Sequence, residues 1–375
     1  MTWYGIYLCA WLVAALLSAG AVRICMPLAA KWGFEDIPKH EAHKNHRKAT
    51  PVLGGLGMLL GWLGALLGGY LGSRALPGHW GEEVSRVLPG LSSVAGRLAV
   101  IVIGACAITL VGVWDDRRAM KAGPKFLLQA VVTLGTAWCG LHFSFLHAIP
   151  GANWLLSALW MMVVINALNF FDNMDGLAAG TAAIAAFFLL FVAALRGQNF
   201  VGVLAALTGG VACGFLVFNT PPARIFMGDG GSHLLGYLLA ICGLLTTYYI
   251  PSENATPAPL LIPLFALGVP LFDAMAVVVI RLRLGVPIYK GDNRHISHRF
   301  ARLGLSRPQA VLVVHLLCFV VGVTGLMLLW LPPAGALLAL ALVSAIFTVI
   351  SIIQFYVPAA RVPAQPAEPS QHETQ

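Results

Sequence analysis

The chain has 375 residues, of which 59% are hydrophobic and only 10% charged, with a mean hydropathy of +0.83 and a formal net charge of +8. Because about a quarter of the residues of soluble domains are charged, this composition excludes a soluble globular protein. It predicts a protein embedded in a lipid bilayer. The positive charge then reflects membrane topology and contact with anionic lipid or substrate phosphates, and it gives little support to nucleic-acid binding.

Apolar runs of about 20 residues, the length that spans a bilayer, follow one another along the chain. The first has no basic start and no small-residue cleavage site, so it is predicted to be a retained anchor and not a cleaved signal. We expect an all-α polytopic membrane protein with about ten to eleven transmembrane helices, forming one domain over residues 1–356 before a short disordered cytoplasmic tail over 357–375. The runs start near Tyr4, Val52, Leu98, Phe126, Trp154, Leu177, Phe200, His233, Ala258, Gln309 and Gly335.

The basic residues indicate the orientation of these spans. If alternate loops are cytoplasmic, beginning after the first span, all but four of the 23 Lys and Arg residues lie on the cytoplasmic side. The exceptions are Arg74, Arg86, Arg97 and Arg196. By the positive-inside rule, this asymmetry predicts an outside N-terminus and five cytoplasmic polar loops. Within the second span, a glycine series predicts a helix-packing face: Gly54, Gly55, Gly57, Gly61 and Gly64.

Acidic residues are distributed just as unevenly. Every aspartate is predicted to lie in a cytoplasmic loop or in the cytoplasmic part of a span, where an ionised carboxylate is costly unless it is paired or bound to a cation. The adjacent Asp115 and Asp116 repel each other, and a shared divalent cation or cationic neighbours would relieve the repulsion. The pair therefore favours a metal or cation site over a structural role. The aspartates are Asp36, Asp115, Asp116, Asp172, Asp175, Asp229, Asp273 and Asp292.

An asparagine-rich segment forms the second polar cluster. Asn166, Asn169 and Asn173 recur at helical spacing, and Asp172 and Asp175 are three residues apart. A helix end with this pattern could present amide and carboxylate oxygens to one cavity. Such hard oxygen ligands suit magnesium or manganese.

A glycine-rich segment, Gly228 to Ser232, precedes the eighth apolar run and holds Asp229. Free N–H groups at such a helix start could bind an anion, while a plain turn capped by Ser232 fits the pattern equally well. Both interpretations stay open at this point.

Basic and imidazole groups complete the polar set. Lys44 and His46 lie in the first loop, and Arg294, His295 and His298 lie in the last large one. Arginines and histidines facing carboxylates on the same side of a membrane indicate a site where a metal and cations hold a diphosphate. The isolated histidines are interpreted as structural: His142, His147, His233 and His315.

At this point the sequence resembles the polyprenyl-phosphate N-acetylhexosamine-1-phosphate transferases, the superfamily of phospho-N-acetylmuramoyl-pentapeptide transferase and undecaprenyl-phosphate N-acetylglucosaminyl-1-phosphate transferase. The resemblance covers roughly Asp36 to Ser306, all five polar loops in order. Each motif is modest, but five in the correct order are specific. They are Asp36-Ile37-Pro38 with Lys44, His46, Thr50-Pro51 and Gly54-Gly55; Asp115-Asp116 with Lys125 and Gln129; the asparagine-rich segment ending Asp175-Gly176-Leu177; Gly228-Asp229; and Asp292 to Arg299.

The resemblance implies transfer of a sugar 1-phosphate from a UDP-N-acetylhexosamine to undecaprenyl or another polyprenyl phosphate, with release of UMP. It also implies a Mg²⁺ cofactor, with Mn²⁺ as an alternative, a possible homodimer, and a place in the bacterial cytoplasmic membrane at the start of cell-envelope glycan synthesis. By resemblance, the catalytic residues are Asp115, Asp116 and Asp229, and the metal ligands are Asn169 and Asp229. The substrate-binding residues by resemblance are Lys44, His46, Lys125, Asn166, Asp172, Asp175, Phe226, Arg294, His295 and His298.

Two positions depart from the family pattern and leave the donor sugar open. The histidine motif commonly reads His-x-His-His, but its middle imidazole is replaced here by Ser297, and the first glycine of the usual Asp-Gly-x-Asp-Gly is Asn173. The histidine motif favours N-acetylglucosamine as the donor sugar, with the pentapeptide transferase as the alternative.

Two questions remain open from the sequence. A secondary transporter would also have many spans, although its polar groups should lie near the bilayer midplane. Asp115 could act as a general base or as a positioning group. Because the second pKa of a phosphomonoester lies near 6, the acceptor needs little deprotonation, which favours positioning and charge neutralisation.

Overall fold

The structure, a computed structural model, describes residues 3–37, 49–75, 79–143, 149, 151–288 and 294–356. Helices account for nearly all the regular structure in these residues, which confirms the all-α polytopic prediction. The tail over 357–375 lies outside the described residues, as do Lys44, His46 and Asp292. The helices are α1 (Trp3–Trp32), α2 (Gly54–Ala75), α3 (His79–Arg117), α4 (Ala122–Trp138), α5 (Ala152–Phe171), α6 (Leu177–Leu195), α7 (Asn199–Asn219), α8 (Gly228–Leu245), a 3-10 turn (Ala258–Leu261), α9 (Ile262–Ala266), α10 (Gly268–Arg283), α11 (Ile296–Arg302), α12 (Arg307–Met327) and α13 (Pro333–Tyr356).

Each of the eleven predicted apolar runs coincides with a helix or with the α9–α10 pair. Among the described residues, eight helices are long and apolar enough to cross a membrane, and the α9–α10 pair, bent by 72°, makes nine if it counts as one span. Large apolar side chains on the outside of the bundle are unpartnered, with Leu16 74%, Ile103 68% and Leu338 72% exposed. A lipid environment explains this exposure, because water would not tolerate so much apolar surface. The expected total of ten to eleven spans is reached only if α4 and α8 also cross the membrane.

Helix α8 lies at the centre of the bundle, where it packs against α2, α3, α5, α6 and α7. Its residues from Gly230 to Leu244 are all buried. A helix surrounded by other helices does not face lipid, so it can carry glycines and a polar first turn without exposing them to hydrocarbon. This position explains how α8 can form the core although it is not among the eight described helices that are long and apolar enough to cross a membrane.

Glycines bring α2 close to its neighbours, as their spacing predicts. A β-carbon on Gly57 would lie 2.7 Å from Cγ2 of Val22, and one on Gly61 would lie 2.5 Å from Cα of Ser18, both in α1. At Gly55 the space is taken by the backbone of Gly231 in α8. The first turns of α2 and α8 therefore touch backbone to backbone, which no larger residue would allow.

A short antiparallel pair closes the base of the first polar loop. Strand β1 (Glu35–Asp36) pairs with β2 (Thr50–Pro51), with Asp36 opposite Thr50. The N–H of Phe226 donates to the carbonyl of Pro51 (2.8 Å), and the N–H of Gly54 donates to the carbonyl of Phe226 (3.1 Å). These bonds join the first polar loop to the segment that leads into α8.

Candidate active site

Acidic, amide and lysine side chains from four helices meet at one end of the bundle. Asp115 lies in the last turn of α3 and Lys125 in the first turn of α4, while Asn169 ends α5 and Asp229 begins α8. These helices run alternately up and down, so the ends of α3 and α5 lie beside the starts of α4 and α8. The structure thus brings together residues that the sequence separates by more than 100 positions.

Lys125 connects two of the carboxylates. Its ammonium nitrogen lies 2.8 Å from Oδ2 of Asp115 and forms a second ion pair with Asp229. All three side chains are largely shielded, with exposures of 16% for Lys125, 14% for Asp115 and 26% for Asp229. The other oxygen of Asp115 accepts the N–H of Met120 (2.5 Å). A cationic neighbour therefore relieves the charge of Asp115, one of the two possibilities that the sequence left open.

Asp116 points to a different partner from its neighbour. Its carboxylate accepts the backbone N–H groups of Asp229 (2.8 Å) and Gly230 (3.1 Å), so it caps the start of α8. The preceding Gly228 has φ +65°, and a β-carbon there would collide with the carboxylate of Asp116. The anion at this helix start is thus supplied by the chain itself.

Below this layer, a buried polar network links α4, α5 and α8. Nδ2 of Asn169 donates to Oδ1 of Asp229 (2.7 Å) and to Oγ of Ser232 (3.0 Å). One turn earlier in α5, Nδ2 of Asn166 donates to Oε1 of Gln129 (2.8 Å). The Gln129 amide in turn lies 3.1 Å from Nε2 of His233. Asn166, predicted to bind substrate, thus lies in the layer that supports the carboxylates.

The segment between α5 and α6 is held by contacts that the sequence did not predict. Oδ2 of Asp175 accepts the N–H of Ala223 (2.9 Å), and Asn219 at the end of α7 accepts the N–H of Gly176 through its side chain (2.9 Å). Asn219 also donates to the carbonyl of Ile225 (2.9 Å). In the sequence, the signal for this structural role of Asn219 is an asparagine at the end of an apolar run.

Next to this segment lies a cavity of about 340 Å³. Met174 and Asp175 line one wall, and Arg307, Pro308 and Val311 of α12 line another. Asp172 is the first residue of this segment, directly after α5. Burial, together with the charges of Asp229 and Asp175, raises the pKa of Asp172 to about 7.

The described part of the histidine motif, residues 294–299, runs into the start of α11 and is fixed from two sides. Nδ1 of His295 bonds to Oδ2 of the buried Asp273 (2.6 Å), whose other oxygen accepts the N–H of Ile296 (2.8 Å). Ser297 donates to Oδ1 of Asn173 (2.5 Å). Asp273 of α10 thus holds a predicted substrate-binding histidine.

His298 is half-buried one turn into α11, and Arg294 lies directly before that helix. Burial and the neighbouring His295, Arg307 and Arg302 lower the pKa of His298 to about 4. His298 is therefore a neutral imidazole at pH 7. Of the isolated histidines, His315 contacts the carbonyl of Leu177 (3.1 Å), a structural partner.

The described residues thus form a polytopic helical bundle with carboxylates and a lysine gathered at the helix ends. A family model, glycosyl transferase family 4, matches residues 98–247, which include Asp115, Lys125, Asn169 and Asp229. The site and the family match therefore fall on the same part of the chain.

Curated relatives extend this similarity over most of the sequence. A Bacillus subtilis protein named "Probable undecaprenyl-phosphate N-acetylglucosaminyl 1-phosphate transferase" is 32% identical over 329 residues, 84% of each chain. A decaprenyl-phosphate N-acetylglucosaminephosphotransferase of Mycobacterium tuberculosis is 31% identical over 373 residues, 92% of this chain and 88% of the relative. A phospho-N-acetylmuramoyl-pentapeptide-transferase of Geobacillus kaustophilus is 29% identical over 255 residues, 62% of this chain and 73% of the relative. The chain belongs to glycosyl transferase family 4 and is a glycosyl-1-phosphate transferase.

Proposed function

We propose that this enzyme transfers N-acetylglucosamine 1-phosphate from UDP-N-acetylglucosamine to a polyprenyl phosphate such as undecaprenyl phosphate. The observation that carries the proposal is the meeting of Asp115, Lys125, Asn169 and Asp229 at one end of a membrane bundle. The names of the Bacillus and Mycobacterium relatives support the acceptor class and the sugar. The products are a polyprenyl-diphosphate sugar and UMP.

In the proposed reaction, an oxygen of the acceptor phosphate attacks the phosphorus atom that carries the sugar. The bond from that phosphorus to the oxygen shared with the uridine-bearing phosphate breaks, and UMP leaves with the bonding electrons. Because the second pKa of a phosphomonoester is about 6, the acceptor is largely a dianion at neutral pH. The main obstacle is therefore the approach of two anions, and the removal of a proton is secondary.

Lys125 is placed to reduce this repulsion. Its ammonium group already lies between two carboxylates from different helices, so it is held where substrate phosphates would arrive. Asp115, held by Lys125, orients this cation and need not act as a base. If Asp115→Asn lost activity and regained it at high pH, proton abstraction would be the better explanation of the Asp115 requirement.

The proposal includes Mg²⁺, and the residues present fit it. Asp115 and Asp229 offer carboxylate oxygens, and Mg²⁺ is commonly held by one or two carboxylates together with substrate phosphates; Asn169 would have to turn its amide oxygen toward the ion, because its Nδ2 now faces Asp229. Among the described residues, no group of three His, Cys, Asp or Glu side chains could hold a metal alone, so substrate oxygens would have to complete the coordination. When bound, the ion would supply positive charge to the diphosphate. The ammonium group of Lys125 already supplies positive charge to the same two carboxylates.

The donor is proposed to occupy the cavity beside Asp175, with Arg307 on the opposite wall. The positive-inside pattern supports a site in the inner membrane that faces the cytoplasm, the compartment in which UDP-sugars are made. The product would begin the synthesis of a cell-envelope glycan. None of these assignments depends on which polymer follows.

The test is release of UMP by the purified, detergent-solubilised protein from UDP-N-acetylglucosamine, with and without undecaprenyl phosphate, and with Mg²⁺ or EDTA. Release that requires both lipid and metal, and that is lost in Asp229→Asn, would support the proposal. Ser157→Ala, which removes a buried, hydrogen-bonded hydroxyl at the far end of α5, should retain activity. Preference for the UDP-N-acetylmuramoyl-pentapeptide would assign the enzyme to that branch instead, and no release with any UDP-N-acetylhexosamine would refute the proposal.

A further inference from the structure

The two residues that depart from the family motifs contact each other. Ser297 of α11 donates its hydroxyl to Oδ1 of Asn173, in the segment between α5 and α6, over 2.5 Å. In sequence they are 124 positions apart. A histidine and a glycine, the usual residues at these positions, could not make this bond, because glycine has no side chain.

The geometry shows that this bond is built into both segments. Nδ2 of Asn173 donates to the carbonyl of Phe170 (3.0 Å), which turns the amide oxygen toward Ser297. Ser297 is fully buried, so its hydroxyl would lose a partner without Asn173, and an unpaired buried hydroxyl is costly. On the other side of α11, Asp273 holds His295 and the first helical N–H. The start of α11 is therefore fixed to α10 through Asp273 and to the 173–176 segment through Asn173.

Neither residue lines the 340 Å³ cavity, but their bond joins the segment that forms one wall to the helix that precedes the other wall. Met174 and Asp175 follow Asn173 directly and form one wall, while Arg307 starts α12, the helix after α11, and forms the other.

We propose that Asn173 and Ser297 form a positioning pair that couples the 173–176 segment to the histidine helix and sets the geometry of the cavity that binds the nucleotide sugar. This proposal rests on the proposed function for the identity of the ligand. The two departures then compensate for each other, because each residue matters only while the other is present. Neither residue is required to touch the reacting atoms.

The test is a double-mutant cycle of Ser297→Ala, Asn173→Gly and the double variant, with Ser157→Ala as the matched control. Hydrogen exchange is measured by mass spectrometry on residues 172–176 and on α11. Each single variant should speed exchange in both segments, and the double variant should exchange no faster than the singles. Faster exchange confined to the mutated segment, or additive effects in the double variant, would overturn the coupling, whether or not the enzyme releases UMP.

Steady-state kinetics test the positioning role separately. We expect each single variant to raise KM for UDP-N-acetylglucosamine about three- to tenfold, as for loss of one hydrogen bond of about 1 kcal/mol. The KM for undecaprenyl phosphate and the apparent melting temperature should stay near those of Ser157→Ala. Equal increases in both KM values, or an unchanged donor KM, would refute a role in donor positioning. An inactive wild-type protein would refute the proposed function and this donor role together, while the exchange result would still decide the coupling.

Discussion

Asp115 and Asp116 are chemically identical neighbours, yet their contacts predict opposite consequences of the same substitution. Asp116→Asn should weaken the fold, whereas Asp115→Asn should weaken catalysis and leave the fold nearly intact. The reason is that Asp116 accepts two backbone N–H groups at the start of α8, while Asp115 pairs with Lys125. The two variants make the same chemical change one residue apart, so each is the matched control for the other.

The magnitudes follow from these contacts. An asparagine at position 116 keeps one acceptor oxygen for two N–H groups, so one donor is left facing an amide, at a cost of about 1–3 kcal/mol. In Asp115→Asn, Lys125 keeps its ion pair with Asp229, so the shielded cation is not left without a charged partner, and the loss of stability should be the smaller of the two.

The assay compares apparent melting temperatures in one detergent, followed by tryptophan fluorescence, with UMP release at saturating substrates. Asp116→Asn should melt clearly below the wild type. Asp115→Asn should melt close to it but release UMP on the order of 100-fold more slowly, as expected for loss of a group that orients charge in the transition state. Equal melting temperatures for the two variants, or a larger loss of stability in Asp115→Asn, would refute the division of roles.

Three further predictions each concern a single residue. Gly228→Ala should lower the melting temperature and abolish UMP release, because the left-handed backbone costs about 1–2 kcal/mol and the new methyl group displaces Asp116; a variant with normal stability would contradict this. Asp273→Asn should lower turnover by about 10–100-fold by releasing His295, and turnover equal to that of the wild type would show that this bond does not matter. The pKa of His298, about 4 in the folded protein and 6.5 ordinarily, means that its contribution to stability is present above pH 6.5 and lost as the pH falls toward 4. His298→Asn should therefore flatten the decrease in melting temperature between pH 6.5 and 4, and an unchanged decrease would assign it to other groups.

Much of the fold could be predicted because a membrane allows few architectures. Runs of apolar residues long enough to span a bilayer must be helical, since an unpaired backbone is too costly in hydrocarbon, and all eleven predicted runs are helical. The glycine series of α2 predicted a packing face, because residues without a side chain let membrane helices approach closely. Hydropathy predicted α8 as a span but not its central position, because neighbouring helices and not lipid surround it.

Candidate site residues could be recognised, but their contacts could not. Asp115 and Asp116 were identified as a pair, yet nothing in their order along the chain indicated that one pairs with Lys125 and the other caps α8. Asn219 escaped notice because a single asparagine at a helix end is an ordinary feature. Contacts between groups far apart in sequence depend on how helices pack, which local patterns do not encode.

The residues alone predict a helical membrane protein with its charged groups in a few polar loops, because hydrophobicity and helix length are local properties that the bilayer selects. Which of those groups share a site depends on how the helices pack. The up-and-down packing around α8 places Asp115, Lys125, Asn169 and Asp229 within hydrogen-bonding range, and it joins Asn173 to Ser297. Hydrogen bonds and ion pairs act over a few ångströms, so their partners are fixed by the packing of helices and not by distance along the chain.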